Sequence, residues 1–189
     1  MVNINKMNKM DKTFSLTVTK TEEAGYKSAL IGLSYNKNQP IENMPELALK
    51  LSTHDHGHNK FLEQIYLWIE VTAPRYWWQE GDTYRLSTKN SQSTMHTILK
   101  DELNATNFEC EDIGGIDINY LNNLLSNKEL VLLKRKLPEG FMQKRMWTMN
   151  YKCLRNIIIQ RQSHRLPHWP SFINQLKSQV DHPELLPFK

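Results

Sequence analysis

The segment Pro74–Thr97, PRYWWQEGDTYRLSTKNSQSTMHT, gathers aromatic rings, guanidinium groups, carboxylates, hydroxyls and amides into two dozen residues. Arginine presents a planar fork of donors matched to phosphate oxygens, and Asn, Gln, Ser and Thr add the directional hydrogen bonds that distinguish one base or sugar from another. The chemistry this mixture suits is recognition of a nucleotide-like ligand. The same residues also permit a plainer arrangement, in which Tyr76, Trp77, Trp78 and Tyr84 are core aromatics of one helix and the Ser/Thr-rich part is a surface loop.

Other reactive types are sparser. His54, Asp55, His56 and His58 have the spacing of an extended chelate, but no second cluster of ligands accompanies them, and loops at helix ends often collect His and Asp, so no metal site is expected. His164 and His168 stand four apart, yet Leu166-Pro167 interrupts the continuous helix that would put both on one face. No serine sits in a nucleophile elbow. Cys153 falls in an amphipathic stretch, where a buried thiol is the default.

The 189 residues, 39% of them hydrophobic, suffice for one domain with its own core. The expectation is a flexible leader over 1–12 and a single domain over 13–189. No run of about 18 apolar residues indicates a membrane span, and MVNINKMNKMDK lacks the apolar stretch of a signal peptide, so a cytoplasmic location is expected. Cys110 and Cys153 are too few for a disulfide framework. The net charge of +4 favours anionic partners, although 24 basic residues are spread among 20 acidic ones. Aromatics are clustered rather than interleaved with Lys and Arg along one face, which argues against single-stranded nucleic acid as the ligand.

These residues must be positioned by a mixed set of elements. Phe14, Leu16 and Val18 alternate with Ser15, Thr17 and Thr19, predicting a strand over 13–21. Helices are predicted over 22–35 and 45–52. A second strand is predicted over 65–72, followed by a helix from Pro74 to about Arg85. Gly81 inside that helix costs about 1 kcal/mol relative to Ala unless something approaches its backbone closely. Residues 86–96 read as a polar loop or strand-like segment. A turn at Gly114-Gly115 then leads into an all-helical second half, with helices over 117–126, 128–136, 139–163 and 169–179. In the longest, Asn150, Arg161 and His164 are 11 and 14 residues apart, and at about 100° per residue they form a polar stripe on one side.

Two segments together resemble the flavin-dependent thymidylate synthases. In Leu137–His164 the resemblance lies in Leu137-Pro138, Trp147, Thr148, Asn150, Arg161 and His164, with Trp169 beyond, similar to a signature with a Leu-Pro start, a Trp-Thr-x-Asn core and an Arg followed by His. After the Pro-initiated helix, Thr83-Tyr84-Arg85, Thr88, Asn90-Ser91, Ser93 and Met95 fall at the spacing of the family's Arg-His-Arg, Ser, Asn-Glu, Ser, Arg motif. Upstream, Gly57-His58 and Glu63 resemble its Gly-His…Glu-His approach, with Gln64 in place of the second His. The resemblance covers about residues 57–170.

It implies an α+β fold with a small, mostly antiparallel sheet packed with long helices, a homotetramer with pockets between subunits, and FAD and dUMP as the family's ligands. Thr83, Tyr84 and Met95 replace three residues that the family gives to flavin and phosphate, and each lost guanidinium removes a charge-assisted bond of about 1.5–3 kcal/mol. The expectation is therefore a diverged member, similar to the short relatives carried by phages. It binds a nucleotide with lost or altered catalysis and sequesters or senses a nucleotide signal, including one of host immunity. The alternative is an active FAD- and folate-dependent enzyme that methylates or hydroxymethylates dUMP. The candidate nucleotide-binding residues are Arg75, Gln79, Arg85, Thr88, Asn90, Ser91, Ser93, Asn150, Arg161 and His164. A retained flavin would use His58, Tyr84, Arg85 and Asn156.

Overall fold

A computed structural model describes residues 15–109 and 116–189. The expected leader over 1–12 and the Gly114-Gly115 turn lie outside them. Four antiparallel strands form one sheet in the order β1-β2-β4-β3. They are β1 (Thr17–Ala24), β2 (Tyr66–Pro74), β3 (Ser87–Ser91) and β4 (Met142–Asn150). Among the described residues, eight α-helices accompany it: α1 (Tyr26–Lys37), α2 (Met44–Ser52), α3 (Arg75–Gly81), α4 (Thr94–Thr97), α5 (Ile118–Ser126), α6 (Leu130–Lys136), α7 (Tyr151–Arg161) and α8 (His168–Lys177). The α+β class with a small antiparallel sheet is as the resemblance implied.

The strand β2 shows why the sheet has two unlike faces. Leu67, Ile69, Val71 and Ala73 are fully buried, while Tyr66, Trp68, Glu70 and Thr72 on the opposite face keep contact with solvent, the alternation a strand imposes on successive side chains. On the buried face Trp147 of β4 meets Trp77 and Trp78 of α3 and Phe172 of α8, with ring centroids 5.7–6.1 Å apart. Trp77 also packs on Trp169 at 4.6 Å. Gly81 is the last residue of α3 and so does not sit in the helix interior; an added Cβ there would lie 3.4 Å from the Trp78 ring. A second apolar cluster joins Ile98, Leu103 and Phe108 to Leu121, Leu124, Leu133, Leu137 and Phe141.

Three elements differ from expectation. The helix expected from Pro74 to about Arg85 ends at Gly81. The strand β1 continues to Ala24, through residues predicted to open a helix, because β2 pairs with it as far as Tyr66 after a bulge between Lys20 and Glu22. Gly25 then reverses the chain at φ 102, where a Cβ would meet the Gln64 carbonyl oxygen at 2.0 Å, so only glycine fits. The larger difference concerns the helix predicted over 139–163, which is β4 followed by α7. Its Met, Gln, Lys and Arg are good helix formers, but residues 142–150 are held by pairing on both sides, against nine residues of β2 and five of β3. Tertiary pairing overrides local propensity there. Asn150 begins the helix instead of riding along it: its Oδ1 accepts from the Cys153 N–H at 2.9 Å, a standard N-cap. The polar stripe of Asn150, Arg161 and His164 on one helix does not exist.

The outer edge of β1 is closed by side chains. Gln175 Oε1 accepts from Val18 N–H and Gln175 Nε2 donates to the Leu16 carbonyl, while Gln179 Oε1 accepts from Lys20 N–H and its Nε2 donates to the Val18 carbonyl. Four residues apart, Gln175 near the end of α8 and Gln179 in the turn just after it, the two amides stand in for a missing neighbouring strand and blunt an edge that would otherwise template aggregation. Replacing both with Ala is expected to cost about 2–4 kcal/mol, four partly buried bonds at roughly 0.5–1.5 kcal/mol each less what water restores. Urea unfolding and light scattering check this; an unchanged midpoint with no added aggregation would refute it.

Candidate functional site

The chemistry-rich segment is organised by a change of direction. After α3 the chain turns through residues 82–86, and Leu86 adopts φ 59, a left-handed conformation uncommon for a γ-branched residue. That turn feeds β3 into register with β4, Thr88 opposite Thr148 and Asn90 opposite Met146. Thr88 and Asn90 therefore share the open face of the sheet with Trp68 and Met146. Lys89 points to the other face, with its Nζ 4.7 Å from the centre of the Trp147 ring. Burial lowers the Lys89 pKa, with nearby Asp82 opposing the shift.

Arg85, Thr88, Asn90, Ser91 and Ser93 are all exposed. No described hydrogen bond or ion pair engages the Arg85 guanidinium; only its carbonyl is engaged, accepting from Cys153 Sγ at 3.6 Å. The other arginines around this segment are already matched. Arg75 lies 3.6 Å from Glu139 and donates to the Leu137 carbonyl, while Gln79 donates to the same Glu139 at 3.0 Å. Arg145 meets both oxygens of Asp82 at 2.9 and 3.1 Å and lies over the Trp78 ring.

Arg161 has the most side-chain partners of these. Its Nη1 donates to Glu80 Oε2 and its Nε to the Tyr84 hydroxyl, each at 2.7 Å, and its guanidinium lies 4.9 Å from the centre of Trp169. His164 Nε2 lies 2.7 Å from Nη1. Trp169 Nε1 donates to Glu80 Oε2 at 2.8 Å, and the Tyr84 hydroxyl donates to Gln160. Burial raises the Tyr84 pKa against the opposing influence of Arg161.

His58 lies elsewhere, on the wall of a cleft of about 970 Å³ between α1 and residues 56–64, together with Tyr35, Lys37, His56, Lys60 and Glu63. Its size is within the usual range for small-molecule sites. Asn156 is exposed on α7. The predicted residues thus form separate groups within one chain: the β3 face with Arg85, the Arg161 network, the Glu139 pair and the cleft. As for a metal, no group of three or more His, Cys, Asp or Glu side chains converges among the described residues. Asp55 is ion-paired to Arg155 at 2.9 Å and His54 Nδ1 contacts the Lys50 carbonyl.

Sequence reasoning missed two groups. Glu80 carries no local signal beyond its place one turn before Tyr84. The other is Glu109, whose carboxylate accepts from the Tyr76 hydroxyl and contacts His168 Nε2, partners 33 and 59 residues away. Burial pushes the Glu109 carboxyl up, but the bonds from His168 and Tyr76 outweigh it and hold its pKa below the ordinary value.

A carboxyl depressed in the folded state stabilises fully above its unfolded pKa, and the contribution disappears as pH falls through the folded value. Glu109→Gln is expected to cost about 1–3 kcal/mol at pH 7 and to flatten the loss of stability in acid, measured by urea midpoints from pH 7 to 3. Parallel pH profiles for variant and wild type would remove Glu109 from that role.

No protein-family model matches this chain, and no curated protein matches it. Its fold is similar to crystal structures of the flavin-dependent thymidylate synthase ThyX from Helicobacter pylori with FAD and dUMP. In one, the TM-score is 0.76 at 19% identity over 90% of this chain and 97% of that one. In a second, at 2.31 Å, the TM-score is again 0.76 at 19% identity, over 92% and 98%. At this identity the likeness establishes the fold.

Proposed function

We propose that this chain binds a nucleotide on the β3 face of a thymidylate-synthase-like fold, with its flavin chemistry lost or altered, so that it sequesters or senses the ligand rather than turning it over. The observation that carries this reading is the exposed polar strand headed by the exposed, unmatched guanidinium of Arg85. Arg85 takes the phosphate, while Thr88 and Asn90 on the open face and Ser93 beyond the strand supply directional bonds; Ser91, opposite Arg145, lies on the Lys89 side of β3. Arg75, Gln79, Asn150, Arg161 and His164 stand behind this set and hold the turns that present it. Among the described residues Thr88 and Asn90 are exposed, which favours a site completed by a neighbouring subunit, as in the homotetramer that the resemblance implies. Residues 13–189 act as one domain in this scheme.

The residues present do not fit FAD in the manner of the family motif. Thr83 and Met95 offer no cation, and Arg75, Arg145 and Arg161 are each matched by a carboxylate of this chain. A second reading, an active FAD-dependent enzyme acting on dUMP, is favoured by the structural likeness to proteins holding both molecules and by the cleft beside His58.

The visible absorption spectrum separates the two. A colourless protein that releases a non-flavin nucleotide on denaturation, identified by mass spectrometry, is expected. A bound flavin band would make the enzyme the better reading. Arg85→Ala is expected to weaken nucleotide binding about 10- to 150-fold, the equivalent of a lost charge-assisted bond of roughly 1.5–3 kcal/mol; isothermal titration checks it, and unchanged affinity would misplace the site.

A further inference from the structure

We infer that Trp68 holds the base of the nucleotide by stacking, so that recognition depends on a planar ring lying on the open face of the sheet. This rests on the nucleotide-binding reading above. The strand register sets the geometry. Trp68 pairs with Thr148 and Thr148 with Thr88, so the three form one row across β2, β4 and β3, and directly opposed residues of antiparallel strands share a face. Glu70, Met146 and Asn90 form the next row. Two strand spacings put the Trp68 and Thr88 backbones about 9–10 Å apart, which is the length of a nucleoside. A ligand hydrogen-bonded by Thr88 and Asn90 therefore lays its base over the indole.

Trp68 is the ring available for this. Trp77, Trp78, Trp147 and Trp169 are fully buried, whereas Trp68 keeps contact with solvent. Tyr66, 42% exposed, widens the aromatic surface, with its ring centroid 6.1 Å from that of Trp68. On the side of Trp68 away from β3 the face turns acidic. Glu22, exposed and without a described ion pair, stands opposite Trp68 on β1, while Glu70 is already matched by Lys144 at 2.9 Å. A phosphate is repelled from Glu22, which directs the ligand with its phosphate toward β3 and its base toward β2. Arg85 joins the sheet at this end: its carbonyl accepts from Cys153 Sγ at 3.6 Å, Asn150 caps the Cys153 N–H, and Asn150 pairs with Tyr66.

The test uses the full chain, with dAMP and dUMP each compared with 2-deoxyribose 5-phosphate, which keeps the sugar and phosphate and lacks the base. Because the other four tryptophans are enclosed, quenching of the indole emission on titration reports Trp68. The expected result is quenching by the nucleotides, with the tighter of the two bound about 5- to 150-fold better than the sugar phosphate, an advantage that falls to within about threefold in Trp68→Leu and is largely kept in Trp68→Phe, both measured by calorimetry. An advantage unchanged in Trp68→Leu would overturn the inference while leaving the nucleotide reading intact. Nucleotide binding without quenching of wild type would do the same, and that result is decisive even if neither variant folds. Wild-type emission that acrylamide cannot quench would mean that another layer, such as a second copy of this chain, covers Trp68, and would also overturn it. If wild type binds neither nucleotide, the nucleotide reading falls and the inference falls with it.

Discussion

The insertion of β4 between β2 and β3 is the constraint on which the rest of the structure depends. Nine residues pair with β2 on one side and five with β3 on the other, so this strand alone joins the hydrophobic half of the sheet to the polar edge. Its inward Trp147 and Met149 are fully buried. Its last residue, Asn150, caps α7, which carries Arg155 and Arg161 to their partners. A one-residue slip in this pairing would turn Trp147 outward and move every group on β3 to the wrong face.

Charge is arranged around that frame by local neutrality. Four arginines, at 75, 145, 155 and 161, each have a carboxylate within 4 Å, at 139, 82, 55 and 80. Pairs such as these contribute little net stability when exposed, and lose much when one partner of an enclosed pair is removed. Their functional consequence is larger than their energetic one. A guanidinium already matched within the chain is a weak phosphate ligand, so the positive net charge of +4 overstates how much anion-binding capacity this surface offers. Arg85, like Arg135 and Arg165, has no described carboxylate partner, and of these three it alone lies beside β3.

The two edges of the sheet are treated differently. Along β1 the amides of Gln175 and Gln179 satisfy the outward backbone groups. Along β3 the residues are small and polar, and exposed side chains of Thr88, Asn90 and Ser91 remain available. One edge is thus closed by side chains while the other presents exposed polar ones among the described residues.

Some of this was legible in the sequence by itself. The alternation of Leu67, Ile69 and Val71 marked β2, Pro74 marked the start of α3, and the clustered Arg, Asn, Ser and Thr marked the exposed segment that became the turn and β3. Such features depend on neighbours a few residues away, and local physics settles them. The state of residues 139–150 could not be settled that way, because their helix-forming composition yields only to strands whose partners lie 54–62 and 68–84 residues earlier in the chain. The same holds for Arg161. Its sequence neighbours suggested a ligand-binding cation, and only the folded chain brings Glu80 to it across 81 residues. Residue type and local pattern determined which chemistry was present; long-range pairing decided which groups remained free to use it, since neutralisation and burial depend on contacts that have no local sequence signature.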